Sequence, residues 1–213
     1  MCRILFTKEN KPFNVNKYLI PFAKMCKQSK EYQGHGWGFS FIENKIWKTK
    51  KQITPIWESE FPENIFTTQL VIHARSAFEN KGIVIENNMP FGNKDTVFVF
   101  NGELRKTRIN IDGRIGAEKI FNFINKLNKD DYAEAIQRAV KIITKRTEYV
   151  RAMNFIISQN KITYVYSDFN EDENYFTLQQ LNENGNVIIC SEKLFEFGNQ
   201  WEAIPTKQLR IIK

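Results

Sequence analysis

The residue with the clearest chemical potential is Cys2, which directly follows Met1 in the sequence. Cysteine is small enough for Met1 to be removed after synthesis, which would leave Cys2 with a free α-amine beside its own thiol. An α-amine titrates at about pH 8 and a free thiol at about pH 8.5, so the amine can accept the thiol proton during nucleophilic attack. The alternative is a small buried hydrophobe in an N-terminal strand, and position alone favours that alternative.

A second candidate group is the amide of Asn101, which together with Gly102 follows the apolar run Thr96 to Phe100. An amide side chain and a flexible backbone N–H at the end of a strand can bind an oxyanion, and each such donor can contribute about 3–4 kcal/mol to acyl transfer. The alternative is an ordinary Asn-Gly turn, which the local pattern by itself favours.

Two further segments carry residues that could bind a substrate. Arg75 follows the apolar run Gln69 to His73, and its guanidinium could hold a carboxylate through two parallel hydrogen bonds, although most such arginines are surface charges. Gly36 and Trp37 lie in a glycine-rich segment that allows close backbone approach beside an indole that could wall a pocket. The alternative for this segment is a hairpin with Trp37 in the core.

Strands and helices must position these groups. Apolar runs bounded by turn residues predict strands at Cys2–Phe6, Trp37–Ile42, Lys45–Thr49, Gln69–His73, Thr96–Phe100, Ala152–Ser158, Ile162–Tyr166, Tyr175–Leu181, Asn186–Ser191 and Leu209–Ile212. Helical spacing predicts helices at Asn16–Lys27, capped by Asn16, at Ala117–Leu127, and at Asp130–Thr147, capped by Asp130. Turns are predicted at Glu43-Asn44, Gln159-Asn160 and Asn184-Gly185, and a long loop at Ser76–Asp95. This order predicts one α+β domain over residues 1–213 with largely antiparallel sheets.

Composition and charge exclude several classes of protein. Hydrophobic residues make up 42% and charged residues 26% of the sequence, which excludes a disordered, collagenous or coiled-coil chain. The 31 basic and 24 acidic residues give a net charge of +7. Because the lysines are scattered and no RNA-binding signature is present, we expect a solvated lysine-rich surface rather than a nucleic-acid interface.

The remaining composition bears on redox compartment, metals and membranes. Three cysteines without paired spacing indicate reduced thiols and a cytoplasmic setting. With only two histidines in the sequence, we expect neither a metal nor a cofactor. We expect no signal peptide and no membrane span, because the apolar stretches are far shorter than the roughly 20 residues that cross a bilayer.

Taken together, these segments resemble the class II glutamine amidotransferases, and most closely their small free-standing branch. The matching runs occur in the same order over nearly all of the sequence: Met1-Cys2-Arg3, Gly36-Trp37-Gly38, His73-Ala74-Arg75, Glu86–Phe91, Phe100–Leu104, Ala117–Phe121, Asn154-Phe155, Cys190–Glu192, Trp201 and Ile204-Pro205. Each run alone is a weak signal, whereas their shared order and spacing are specific.

The resemblance implies an N-terminal-nucleophile hydrolase fold, a four-layer αββα sandwich in which two mostly antiparallel sheets lie between helical layers. It also implies that Cys2 attacks the side-chain amide of glutamine, that its α-amine moves the protons, and that water hydrolyses the resulting γ-glutamyl thioester. Asn101 and the backbone N–H of Gly102 would stabilise the oxyanion.

The substrate site follows from the same resemblance. Arg75 would hold the α-carboxylate of the substrate, and we assign His73, Gly36 and Trp37 to the surrounding pocket. The helix that begins near Ala117 lies where the family binds the α-amino group of the substrate.

That helix is where the sequence departs from the family. The family usually has an acidic residue, a small residue and a glutamate at its start, whereas this sequence has Gly116, Ala117 and Glu118. A glycine cannot pair with an ammonium group, and a buried ammonium without a counter-charge is costly. Either Asp112 or Glu118 substitutes, or the amine is held differently, or the chain is not a glutaminase. A second departure is Met89, where the branch commonly has a histidine, so that loop is expected to bind something less polar.

Three functional hypotheses result. The leading one is an amidohydrolase acting on glutamine or on another γ-glutamyl amide, with any ammonia acceptor on a separate synthase subunit. The second is a non-catalytic binding or regulatory module on the same fold, which retention of Met1 would indicate. The third is a nucleic-acid binder, which rests on the +7 charge alone and which we do not expect.

Overall fold

Alternating side chains along the strands build two antiparallel sheets. The computed structural model describes residues 1–159 and 161–213, so the predicted Gln159-Asn160 turn lies partly outside the described residues. The strands are β1 (Arg3–Asn14), β2 (Trp37–Glu43), β3 (Ile46–Gln52), β4 (Phe66–Ala74), β5 (Phe91–Gly92), β6 (Thr96–Arg105), β7 (Tyr149–Gln159), β8 (Ile162–Tyr166), β9 (Gln179–Glu183), β10 (Asn186–Cys190), β11 (Glu202–Ala203) and β12 (Leu209–Ile212). The helices are α1 (Asn16–Gln28), α2 (Gly116–Leu127), α3 (Tyr132–Lys145) and the short α4 (Glu173–Phe176).

The strands form one seven-stranded and one five-stranded sheet. The first sheet has the order β11-β9-β10-β1-β4-β2-β3, and the second has the order β12-β8-β7-β6-β5. Strand β1 lies at the centre of the first sheet and pairs with β4 on one side and β10 on the other. The first residues of β1 are therefore held between two neighbours.

Two hydrophobic layers show how the sheets and helices stack. Leu5 of β1 and Ile72 of β4 pack with the buried face of α1. Ile4 and Phe6, which lie on the opposite face of β1, pack with the second sheet and with α2 and α3. The order of layers is thus helix, sheet, sheet and helices, which confirms the predicted α+β sandwich.

The structure corrects several predicted elements. Strand β6 continues to Arg105, so Asn101 and Gly102 lie within it and not at its end. The predicted strand Tyr175–Leu181 is divided into α4 and β9, and β1 extends well beyond Phe6.

Both predicted helix caps are also wrong. Asp131 rather than Asp130 caps α3, with its side chain accepting from the backbone N–H groups of Ala133 and Glu134. The N-cap position of α1 is Val15, and Asn16 is the first residue of the helix.

Removal of the Phe98 side chain should test the layer between β6 and α2. Phe98 is fully buried, and its ring stacks on Phe121 with centroids 5.1 Å apart. We expect Phe98→Ala to lower the free energy of unfolding by about 3–5 kcal/mol, measured by chemical denaturation. The matched control is Phe66→Ala, since Phe66 is 61% exposed and its loss should cost less than about 1 kcal/mol. Equal losses in the two variants would contradict the assigned layer.

Candidate active site

Cys2 lies at the entry to β1, with 8% of its surface exposed. Its Sγ accepts a hydrogen bond from the backbone N–H of Ser76 at 3.4 Å and lies 3.6 Å from the Ser76 carbonyl oxygen. Burial raises the pKa of the Cys2 thiol, and the nearby α-ammonium and Arg75 oppose that effect. The thiol is therefore protonated at neutral pH and needs a base before it can act as a nucleophile.

Strand alternation places the candidate groups on one face of the first sheet. Ile4 packs toward the second sheet and pairs in register with His73 of β4. Because side chains two residues apart share a face, Cys2 continues the face of Ile4, and Arg75 continues the face of His73. The positive charge of Arg75 opposes the rise in the pKa of Cys2 and lowers the pKa of His73, so both side chains lie within electrostatic range of the guanidinium.

Asn101 approaches this face from the second sheet. Phe98 and Phe100 are turned by the strand pleat to the face opposite that of Val99 and Asn101, and Phe98 stacks on α2. Asn101 therefore faces the first sheet. It is fully buried, yet neither its amide nitrogen nor its amide oxygen has a hydrogen-bond partner within the described chain. Buried polar atoms without partners are rare and costly, so this amide has the character of a ligand-binding group.

Gly102 brings backbone against backbone beside Asn101. A Cβ atom at Gly102 would lie 2.1 Å from the carbonyl oxygen of Ala152 on the neighbouring strand. Any larger residue would push β6 away from β7. Glycine at this position is thus required by the close approach of the strands, not by a turn.

Arg75 is a buried cation, with 5% of its surface exposed. Its Nη1 donates to Oδ1 of Asn88 at 3.3 Å, and Nδ2 of Asn88 donates in turn to the carbonyl oxygen of Gln52 at 2.7 Å. No carboxylate lies within 4.0 Å of the guanidinium among residues 1–159 and 161–213. A carboxylate from a ligand would supply the missing counter-charge.

His73 is fully buried between the sheets, beside the backbone at Phe100. Neither ring nitrogen makes a hydrogen bond in the part of the chain that the structure describes. Burial, reinforced by the charges of Arg75 and Lys51, lowers the pKa of His73 to about 3. The imidazole therefore remains neutral at physiological pH and cannot act as a cationic anchor.

Gly36 and Trp37, from the glycine-rich segment, have different roles. Gly36 has a φ of +107°, and a Cβ there would lie 2.1 Å from Nδ2 of Asn88. Glycine therefore leaves room for Asn88, which accepts the hydrogen bond from Arg75. The Gly36 carbonyl accepts from the backbone N–H of Arg75 at 2.8 Å. Trp37 is 1% exposed and packs in the core beside α1, with its ring stacked on Phe39. The structure thus favours the core alternative for Trp37 over the predicted pocket wall.

The two acidic candidates near the start of α2 differ in their contacts. Glu118 accepts from the backbone N–H of Arg114 at 2.6 Å and from its guanidinium, and these hydrogen bonds lower the pKa of Glu118. Asp112 is exposed. Its backbone carbonyl oxygen accepts a hydrogen bond from Asn122 Nδ2 at 2.9 Å. A Cβ added to Gly116 would meet nothing within 4 Å, so the space beside this glycine is open.

Sequence reasoning missed a group of residues around Met1. The Met1 ammonium pairs with Glu31, and the Met1 carbonyl accepts from Tyr175 Oη at 2.9 Å and Gln33 Nε2 at 3.0 Å. Arg151 holds the other oxygen of Glu31 at 2.9 Å. The one local signal was Arg151 itself, the only charged residue of β7, since its partners are far apart in sequence.

The described residues contain neither a cluster of metal-ligating side chains nor a helix that could span a membrane. No group of three or more histidine, cysteine, aspartate or glutamate side chains there could hold a metal ion. No helix in that part of the chain is both long and apolar enough to span a bilayer.

The fold is that of class II glutamine amidotransferase domains. Solved structures of such domains superpose on 99% of this chain, although sequence identity is 10–15%. No protein-family model and no curated protein sequence matches this chain. The similarity predicted from scattered motifs is thus confirmed by the backbone.

Three solved structures illustrate the similarity. Glutamine phosphoribosylpyrophosphate amidotransferase from B. subtilis superposes with a TM-score of 0.72 at 15% identity, and the chain spans 47% of that longer protein. A class-II glutamine aminotransferase domain protein from Silicibacter pomeroyi gives a TM-score of 0.66 at 10% identity, with 94% of its length covered. A predicted glutamine amidotransferase from Pseudomonas aeruginosa gives 0.60 at 14% identity, with 96% covered.

The low pKa of His73 gives the fold a specific sensitivity to acid. An ordinary histidine titrates at about pH 6.5 in the unfolded chain, whereas His73 in the folded protein stays neutral down to about pH 3. The unfolded state therefore binds more protons between these values, so stability is complete above about pH 6.5 and falls as the pH is lowered. Between pH 7 and pH 5 this single group should cost about 2 kcal/mol.

Chemical denaturation of wild type and His73→Gln at pH 7 and pH 5 measures the effect. The variant should lose about 2 kcal/mol less than wild type over this interval, because both proteins share every other titrating group. Identical losses would show that His73 gains its proton without cost and is not enclosed between the sheets.

Proposed function

We propose that the chain is a cysteine-dependent amidohydrolase that releases ammonia from glutamine through a γ-glutamyl thioester on Cys2. The observation that carries the proposal is the fully buried Asn101 amide, which lacks a partner and faces the sheet that bears Cys2. The fold of class II glutamine amidotransferase domains supports it. In this proposal residues 1–213 act as one amidotransferase-type domain.

Removal of Met1, which happens once before any turnover, frees the α-amine of Cys2. Burial raises the pKa of the thiol, so the amine must take its proton as Sγ attacks the amide carbon. Negative charge then develops on the carbonyl oxygen, where the Asn101 amide and the Gly102 backbone N–H would donate hydrogen bonds.

Collapse of the tetrahedral intermediate breaks the carbon–nitrogen bond. The α-ammonium returns its proton to the leaving nitrogen, and ammonia departs. Water then attacks the thioester, with the amine again as base, and yields glutamate and the free thiol. Arg75 would hold the substrate carboxylate throughout, because its guanidinium is buried without a carboxylate partner among the described residues.

The residues at the start of α2 bear on which amides can bind, because the resemblance places the α-amino group of the substrate there. Glu118 is occupied by Arg114, and Gly116 offers no side chain to an ammonium group. Another γ-glutamyl amide is therefore the second candidate substrate.

We place the reaction in the cytoplasm, where three unpaired thiols would stay reduced, and assign any use of the ammonia to a separate acceptor subunit.

A non-catalytic module on the same fold remains the competing hypothesis. Its support is the set of contacts that Glu31, Gln33 and Tyr175 make with Met1. A protein that keeps Met1 has no free amine at Cys2 and cannot use the proposed base. The state of the N-terminus therefore distinguishes the two hypotheses.

Cys2→Ala should abolish amide hydrolysis while leaving the unfolding midpoint nearly unchanged. Intact mass spectrometry of the wild type should show loss of Met1, and one adduct at Cys2 after treatment with a diazoketone analogue of glutamine. Cys26 and Cys190 are also buried thiols, so Cys26→Ala is the matched control and should retain turnover. Activity in Cys2→Ala would refute the nucleophile, and retention of Met1 would favour the non-catalytic module.

Asn101 and Asn154 offer a paired test of the oxyanion site, since they are register partners on β6 and β7. Asn154 is fully engaged, because it donates to the Phe176 carbonyl at 2.6 Å and accepts from Ser167 and from the Asp168 backbone. Asn101→Ala should lower kcat by about 10²–10³-fold without loss of stability. Asn154→Ala should lower the free energy of unfolding by about 1–3 kcal/mol.

Steady-state kinetics and denaturation of both variants check this contrast. An Asn101→Ala protein with normal kcat would remove Asn101 from the oxyanion site. A large loss of stability in that variant would indicate a structural role instead.

A further inference from the structure

The structure holds Met1 at three points, and these contacts define a small site beside Cys2. The ammonium pairs with Glu31, and the carbonyl accepts hydrogen bonds from Gln33 and Tyr175. The Met1 side chain packs on an apolar cluster that contains Ala152. The ammonium, the carbonyl and the side chain of Met1 therefore each have a partner of matching polarity in the protein.

The carboxylate in this site is fixed in place by Arg151. This guanidinium contacts Glu31 at 2.9 Å, Glu171 and Asp172 at 3.2 Å and Glu103 at 3.5 Å. Lys30 also pairs with Asp172 at 2.9 Å and Arg105 with Glu103 at 2.7 Å, so three cations face four carboxylates once Met1 is removed, and the remaining negative charge attracts a cation.

Glu31 loses its second partner when Met1 leaves. Its Oε1 stays with Arg151, whereas its Oε2 is paired with the Met1 ammonium and with no other cation among the described residues. Without Met1, Gln33 Nε2 still donates to Tyr175 Oη at 3.2 Å, whereas the Tyr175 hydroxyl loses its acceptor and Gln33 Oε1 has no partner among the described residues. The charged group left without its partner in the emptied site is the Glu31 carboxylate, which requires a cation beside it.

We propose that, after removal of Met1, this site binds the leaving amine of an amide whose nitrogen carries a short aminoalkyl chain, so that the substrate is a monoamide of a diamine. The inference rests on the proposed amide cleavage at Cys2. It places the acyl part of the substrate toward Arg75 and Asn101, and the distal ammonium of the leaving group on Glu31.

The distances admit a chain of up to four methylene groups. One residue spans at most about 3.6 Å, which bounds the separation between the Met1 and Cys2 nitrogens. The leaving nitrogen must come within about 2.9 Å of the Cys2 amine to receive a proton. The two nitrogens of the leaving amine would therefore lie up to about 6 Å apart, with the methylenes along the apolar cluster.

The chemistry is that of the proposed hydrolysis with a larger leaving group. Sγ of Cys2 forms a bond to the amide carbon, and the carbon–nitrogen bond breaks as the Cys2 α-ammonium gives its proton to that nitrogen. The free diamine departs, and water cleaves the thioester to the carboxylic acid and the thiol.

Two substrates of equal length test the proposal in the wild-type protein freed of Met1. One is the γ-glutamyl monoamide of 1,4-diaminobutane, and the other is the γ-glutamyl amide of pentylamine, in which a methyl group replaces the ammonium. We expect the diamine amide to show a kcat/KM about tenfold higher or more. Equal kcat/KM values would overturn the proposal without any variant.

Glu31→Gln should remove this preference, mainly by raising KM for the diamine amide, so that the kcat/KM values of the two amides become nearly equal. Glu171→Gln is the matched control, since Glu171 contacts Arg151 but has no contact with Met1, and it should keep the preference. If Glu31→Gln slows both amides equally and shifts the pH profile, Glu31 positions only the Cys2 amine, and the proposal is wrong.

A binding measurement separates this inference from the proposed reaction. Calorimetry of 1,4-diaminobutane with the Cys2→Ala protein freed of Met1 should show binding that Glu31→Gln weakens about tenfold or more. If no amide is hydrolysed but this binding is seen, the proposed function fails and the site stands. If glutamine is hydrolysed and no diamine binds, the site fails and the proposed function stands.

Discussion

The register between β1 and β4 is the constraint on which the candidate site depends. Ile4 lies opposite His73, so the side chains that continue each strand, Cys2 and Arg75, face the second sheet together. A slip of one residue would turn every one of these groups to the face covered by α1. The hydrophobic pattern prevents that slip, because Leu5 must face α1 and Ile4 must face the second sheet. Core packing thus fixes the position of the proposed nucleophile, Cys2.

The same interior contains polar groups that the fold itself does not satisfy. An unpaired buried polar group costs about 1–3 kcal/mol, and Asn101 and His73 are both in this state in the described chain. Asn154, the neighbour of Asn101 across the ladder, shows that the fold can fully satisfy an asparagine here. The contrast between two adjacent amides of the same type supports the proposed ligand-binding role of Asn101.

The sequence predicted the layers and most strands because alternation and helical spacing are local signals. Ile162–Tyr166 and Leu209–Ile212 match the structure at both ends, since turn residues bound each run. The error at Asn101 arose because Asn-Gly is typical of turns, whereas here glycine is needed for the approach of Ala152. Contacts such as Arg151 with Glu31 join residues more than 100 positions apart, and no periodicity in one sequence encodes them.

The pairing of β6 with β7 connects Asn101, at one end of the candidate site, with Glu31 at the other. Asn101 and Glu103 lie two residues apart on β6, and Glu103 pairs in register with Ala152 of β7, next to Arg151. Arg151 contacts both Glu103 and Glu31. The strand that carries the proposed oxyanion donor therefore also contacts the arginine that holds Glu31. Because β6 and β7 are paired over ten residue positions, the proposed acyl and leaving-group sites would keep a fixed separation, which would restrict the length of amide that fits between them.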